Sequence, residues 1–161
     1  MKASILALIT VLALFFTLGT GCCRKNDLAR EAESIKAADR HYSQLSAEKG
    51  MNAAFLAMSD NTAVIIRRNH MPFEGYEQIR ELLLKEEDTS FVLTWEPLKA
   101  IIARSCDLGY SYGTYLVKDK HSGLKLGDGT YVTVWKKRGK EWKSVLDTGS
   151  SGLAAPEKTK P

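Results

Sequence analysis

The chain has 161 residues, 44% of them hydrophobic, with 23 Lys and Arg against 19 Asp and Glu for a net charge of +4. Setting aside Lys2 leaves 22 against 19, a balance of +3 that is too even to argue for nucleic acid. With Cys22 and Cys23 adjacent, Cys106 far away and His41, His70 and His121 at no ligand spacing, neither a disulfide framework, a metal site nor a cofactor is expected, and Cys106 reads as a free, buried thiol.

Lys2 is the only charge before Arg24, and Ile5 to Phe16 is an almost unbroken apolar run followed by Gly19, Thr20 and Gly21. A basic start, an apolar middle and small residues make residues 1–21 a secretory signal. The run is short for a membrane-spanning helix, which needs about 20 apolar residues. A cysteine directly after the small residues resembles the lipobox of bacterial lipoproteins, although Leu18 stands one position too far upstream. This resemblance implies that Cys22 is diacylated and becomes the new N-terminus. The chain would then lie on a membrane without spanning it, with residues 22–27 as the linker. No aspartate follows Cys22, which points to the outer membrane of the bacterial envelope. An unmodified Cys22 would instead leave the protein periplasmic or secreted.

The remaining chain is the size of one domain, over residues 28–152, followed by a tail with the composition of a disordered end. Leu28, Ala32, Ile35, Tyr42 and Leu45 recur at helical intervals, while Arg30, Glu33, Lys36 and Arg40 face away. Gly50 breaks this helix. "MNAAFLAM" reads as a second, short helix closed by a turn at Ser59-Asp60-Asn61. "TAVIIRR" is predicted as a strand. Pro72 and Gly75 make a turn before "YEQIRELLLKE", where Ile79, Leu82 and Leu83 mark a third amphipathic helix.

Long strands follow. "FVLTWEPLKAIIA" is the first, bulged or bent at Pro97 because proline cannot donate to a sheet ladder. "LGYSYGTYLVK", "GTYVTVWKK" and "EWKSVLDTG" are the others. Asp119 to Asp128 is expected as a polar loop and Arg138-Gly139-Lys140 as a tight hairpin. Three helices before an antiparallel, curved sheet is an α+β layout with helices covering one face. Such a sheet curls round an apolar cavity.

The segments "ADRHYSQLSAEKGMNAAFLAMSDNTAVI", "MPFEGYEQIRELL" and "GTYVTVWKKRGKEWKSVLDTG" resemble the superfamily of ketosteroid isomerases, SnoaL-like polyketide cyclases and nuclear-transport-factor-like proteins. The resemblance is closest to a secreted bacterial branch of unassigned function. It implies a cone-shaped, cystatin-like α+β roll over roughly residues 35–152. The isomerases of that superfamily use a tyrosine on the first helix, a carboxylate base at the end of the first strand and a protonated acid on a late strand. The matching positions here are Tyr42, Ile66 or Arg67, and Tyr131. Two phenols, Tyr42 and Tyr131, thus remain as candidate donors to a developing oxyanion, and the base is missing.

Asp147 is the substitute base, since a carboxylate beside an apolar cavity has a raised pKa. If Tyr131, Thr133 and Trp135 point into the cone, pairing places either Trp142, Ser144 and Leu146 or Lys143, Val145 and Asp147 beside them. Only the second register turns Asp147 inward; otherwise it caps the turn at Thr148 and Gly149. Leu108, Tyr110, Tyr112, Thr114 and Leu116 share one strand face. The resemblance puts Tyr112, Thr114 and Leu116 in the cavity lining. With Phe55, Trp95 and Trp135 they would form an aromatic pocket for a flat or acyl small molecule, or else ordinary core. His70 would lie at the pocket mouth or on the surface.

Two functions fit these residues. One is an envelope-anchored domain that binds a small apolar molecule; the other is a proton-transfer enzyme, isomerase, cyclase or dehydratase-like, acting on a small apolar carbonyl compound. The other sheet face, with Tyr115, Val117, Val132 and Val134, is apolar enough to want cover, and a homodimer is expected there.

Overall fold

The computed structural model describes residues 25–86 and 88–153. The expected signal segment, Cys22 and most of the tail lie outside them. Three helices come early: α1 (Lys25–Lys49), α2 (Met51–Met58) and, after strands β1 (Ser59–Ile66) and β2 (Phe73–Glu74), α3 (Tyr76–Lys85). Four long strands follow, β3 (Phe91–Ile102), β4 (Leu108–Asp119), β5 (Lys125–Arg138) and β6 (Glu141–Ser151). With β1 and β2 they form one open six-stranded sheet in the order β2-β1-β6-β5-β4-β3. All neighbours are antiparallel except β1 and β6, which run parallel. The α+β expectation holds, and the helices pack on the sheet's inner face.

Ser59-Asp60-Asn61 is not a turn: Ser59 is already extended, at φ −69° and ψ 133°, and the segment opens β1. Asp60 is held there by Arg138, whose guanidinium donates to both carboxylate oxygens at 2.6 and 3.0 Å. The expected loop after Asp119 is also shorter, because β5 begins at Lys125.

Helix α1 buries Ile35, Asp39, Tyr42, Ser43 and Ser46, a stripe at helical spacing that is polar where it meets β3. Ser43 Oγ donates to the Trp95 carbonyl at 2.7 Å and accepts from the Trp95 N–H at 2.8 Å. Ser46 Oγ donates to the Leu93 carbonyl at 2.7 Å. These backbone groups point away from β4, so the serines complete the hydrogen bonding of a strand with no other neighbour on that side.

Two apolar clusters hold the layers together. Ile35, Tyr42, Met58, Ala100, Trp135 and Trp142 form the larger, between α1 and the sheet. Ala63, Ile65, Ile79 and Leu83 fasten α3 to β1. Every element and both clusters of the described residues lie between Lys25 and Ser151, so a chain starting at Cys22 carries all of them.

Two bulges shape the sheet. On β3 the pairing with β4 slips between Pro97 and Lys99, as the proline led one to expect. On β6 it slips at Val145: Trp135 faces Ser144, whereas Val134 faces Leu146 and Thr133 faces Asp147. One extra residue exchanges the two faces of the strand, so Ser144 before the bulge and Asp147 after it both point inward.

Candidate functional site

A cavity of about 1020 Å³ opens between α2, α3 and the inner face of the sheet. Met51, Phe55 and Met58 from α2 and Leu82 from α3 form one wall. Phe91, Leu93 and Trp95 from β3, Tyr115 and Val117 from β4, and Tyr131 and Thr133 from β5 form the other. Asp147 lies on the β6 side, and Arg67, Arg68, His70 and Glu86 stand among the lining residues at the ends of β1 and α3. Arg67 is ion-paired with Glu86. Phe55 and Trp95 meet edge to face, with ring centroids 5.9 Å apart.

Strand phase decides which β4 residues take part. Gly109, Ser111 and Gly113 are buried on the inner face, followed by Tyr115 and Val117 in the cavity wall. Tyr112, Thr114 and Leu116 therefore point to the outer face, a correction to their expected place in the lining; Tyr112 is 40% exposed. The reason is room. A Cβ on Gly109 would lie 2.6 Å from Ile35 Cδ1, and one on Gly113 would lie 2.0 Å from the Glu96 carbonyl oxygen and 2.9 Å from the Tyr131 ring. Tyr131 and Tyr115 each sit opposite a glycine across the strands, Gly113 and Gly129, and these glycines give the rings their space.

Trp135 is fully buried in the core cluster, stacked on Tyr42 at 5.9 Å and 9° between planes, and does not reach the cavity. Tyr42 also fails to reach it. Its hydroxyl donates weakly to the Trp142 carbonyl at 3.4 Å, and its ring lines a separate groove between α1 and the β5–β6 hairpin. Of the three candidate catalytic residues, the structure brings Tyr131 and Asp147 to one cavity and leaves Tyr42 out. Cys106 is disulfide-bonded, half-buried and at φ 59°, in place of the free, buried thiol expected.

Behind the cavity wall sits a residue the sequence reading passed over. Asp39, 1% exposed on α1, accepts from Trp95 Nε1 at 2.6 Å, Ser111 Oγ at 2.6 Å and Tyr131 Oη at 2.9 Å. Ser111 in turn accepts from Trp135 Nε1 at 2.8 Å, which fixes the serine proton on Asp39. Burial raises the Asp39 pKa against the pull of these bonds. The Tyr131 phenol is pushed well above its ordinary value by burial and by the adjoining Asp39 charge. A signal was available: position 39 falls four after Ile35 and three before Tyr42, on the stripe itself.

Asp147 differs from Asp39 in having one bond, from Thr133 Oγ1 to Oδ2 at 2.6 Å. Burial pushes its pKa up to about 6; the Asp39 charge adds to this, while Thr133 and Arg67 oppose it. A carboxylate titrating there is able to take and return a proton near neutral pH. Tyr131 is a poor oxyanion donor in this arrangement. Its single proton is directed at Asp39, which leaves its oxygen lone pairs for the cavity. Among the described residues no group of His, Cys, Asp and Glu is placed to hold a metal ion.

Solved structures of similar fold include a domain of unknown function with a cystatin-like fold from Nostoc punctiforme, at TM-score 0.62 and 17% identity over 76% of this chain and 77% of that one. A ketosteroid isomerase-like protein from Erwinia carotovora atroseptica matches at TM-score 0.58 and 12% identity, over 75% and 96%. An NTF2-like protein of unknown function from Pseudomonas putida matches at TM-score 0.62 and 12% identity, over 80% and 91%. No protein-family model and no curated protein matches the sequence.

Proposed function

We propose, from the cystatin-like, NTF2-like fold shared with these structures and from its open cavity, that the protein is an envelope-anchored domain that binds a small, largely apolar molecule. The observation that carries this reading is the cavity itself: about 1020 Å³ walled by methionine, leucine and aromatic side chains, with the Asp147 carboxylate on its β6 side. The test is a thermal-shift screen of small apolar compounds on the chain from Cys22 onward, repeated on Val117→Trp, which fills the cavity from the β4 wall. Hits that stabilise the wild type and lose their effect in the filled variant support the reading; hits indifferent to the filling would sink it.

Anchoring rests on Cys22 and is read by metabolic labelling with an alkyne fatty acid. Label lost in Cys22→Ala and kept in Cys23→Ala is the expected result, and equal label in Cys22→Ala overturns it.

A second reading, proton transfer on a small apolar carbonyl compound, is favoured by the place of Asp147 in the cavity lining, where burial pushes its carboxyl up to about 6. It requires that an enolisable ketone bound there exchange its α-protons with D₂O faster in wild type than in Asp147→Asn.

A further inference from the structure

The hydrogen-bonding capacity of the cavity wall is one-sided. Thr133 gives its proton to Asp147, and Tyr131 and Trp95 give theirs to Asp39. Thr148 Oγ1 donates to the Ile66 carbonyl at 3.2 Å, and Arg67 is engaged by Glu86. Around Asp147 what remains for a ligand is acceptor: the carboxylate itself, whose Oδ1 receives no hydrogen bond among the described residues, and the lone pairs of Tyr131 Oη; the other polar side chains of the lining, Arg68, His70, Ser150 and Ser151, belong to exposed residues. The charge around Asp147 leans the same way. Asp39, behind the wall, adds a second carboxylate, Arg67 is paired with Glu86, and the other arginine of the lining, Arg68, is exposed.

The walls agree with the charge. Aromatic rings carry negative faces that attract cations in water-poor sites, and Trp95, Tyr115 and Tyr131 line the same cavity as Asp147. Beside Asp147 a ligand carboxylate would meet like charge, and the hydroxyls of Thr133 and Tyr131 have no proton left for a ligand carbonyl. An ammonium would supply the donor that Asp147 lacks and offset the cost of burying its charge.

We propose that the molecule held in this cavity is a protonated amine on an apolar body, its ammonium bound by Asp147 and its body against the walls that Trp95, Tyr115 and Tyr131 help to form. The proposal rests on the reading of the cavity as a binding site and names the class of ligand. The groups facing Asp147 are Thr133 and Tyr131 on β5, Asp39 on α1, Arg67 at the end of β1, Arg68 and His70 beyond it, and Glu86 after α3.

The test compares three probes of one shape by calorimetry on the chain from Cys22: 1-naphthylmethylamine, 1-naphthalenemethanol and 1-naphthoate. At pH 8 the amine is expected to bind at least tenfold more tightly than the alcohol, with the naphthoate weakest. Asp147→Asn should erase the amine's advantage and leave the alcohol's affinity in place. Lowering the pH to 5 should weaken the amine in wild type while the alcohol stays constant, and this arm stands without the variant if Asp147→Asn does not fold. An alcohol or naphthoate that binds as tightly as the amine overturns the proposal and leaves the binding site intact, as does an advantage that survives Asp147→Asn. Failure of all three probes to bind overturns both.

Discussion

Asp39, buried, and Asp147, half-buried in the cavity wall, are two carboxylates that the protein treats in opposite ways. Asp39 has three donors and Asp147 one, so Asp39 is a fixed joint and Asp147 a group free to act. Removing the first, by Asp39→Ala, strands the Trp95 N–H and the Ser111 and Tyr131 hydroxyls. The expected loss is about 3 kcal/mol, seen as a lower urea midpoint. Removing the charge of the second does the reverse. The folded pKa of Asp147, about 6, lies above its ordinary 3.8, so the folded state holds the proton more tightly. Stability contributed by this group is therefore present at low pH and lost as pH rises from about 4 through about 6. Asp147→Asn should be more stable than wild type at pH 8 by on the order of 1–2 kcal/mol, the gap closing below about pH 4. Parallel unfolding curves for the two proteins across that range would contradict the assignment.

At the level of elements, the helical period and the change to long strands were plain in the sequence, and the α+β layout followed from them. Strand phase was not. The β4 pattern offers two faces, and its bulky residues suggested the wrong one. A helix lying on a sheet needs small residues beneath it, and Gly109, Ser111 and Gly113 supply them under α1 and the Tyr131 ring. Gly113→Ala tests this: its Cβ would fall 2.0 Å from the Glu96 carbonyl oxygen. The cost should be about 2–3 kcal/mol, read as a drop in Tm, with cavity binding weakened as Tyr131 shifts. The face of Asp147 was equally hidden, because it depends on a bulge at Val145 that exists only between strands. Tyr42 was legible as a buried member of the α1 stripe; which side of that helix holds the cavity was not.

For the whole molecule, the inward turn of Tyr115 and Val117 changes the surface offered to a second copy. The outer face instead carries Ile101, Tyr110 and Tyr112, the first 38%, the second 38% and the third 40% exposed, beside Val132, Val134 and Leu146. We propose the homodimer on this face, burying at least about 1,000 Å² in total. Sedimentation of the chain from Cys22 should give a dimer at micromolar concentration and a monomer for Tyr112→Glu with Val134→Glu; a monomeric wild type counts against it.

The serines of α1 have a consequence for how the protein is lost from solution. A sheet that is not closed has two margins, and each is a template for strand addition by another chain. One margin here is β2, only two residues long, and the other is β3, whose Leu93 and Trp95 backbone groups are taken by Ser43 and Ser46. If α1 lifts away while the sheet persists, that ladder is bare, and a neighbouring copy can pair with it. Undocking of one helix, and not melting of the strands, then sets the onset of aggregation. On heating, light scattering should rise before the far-ultraviolet strand signal falls, and earlier still in Ser43→Ala with Ser46→Ala.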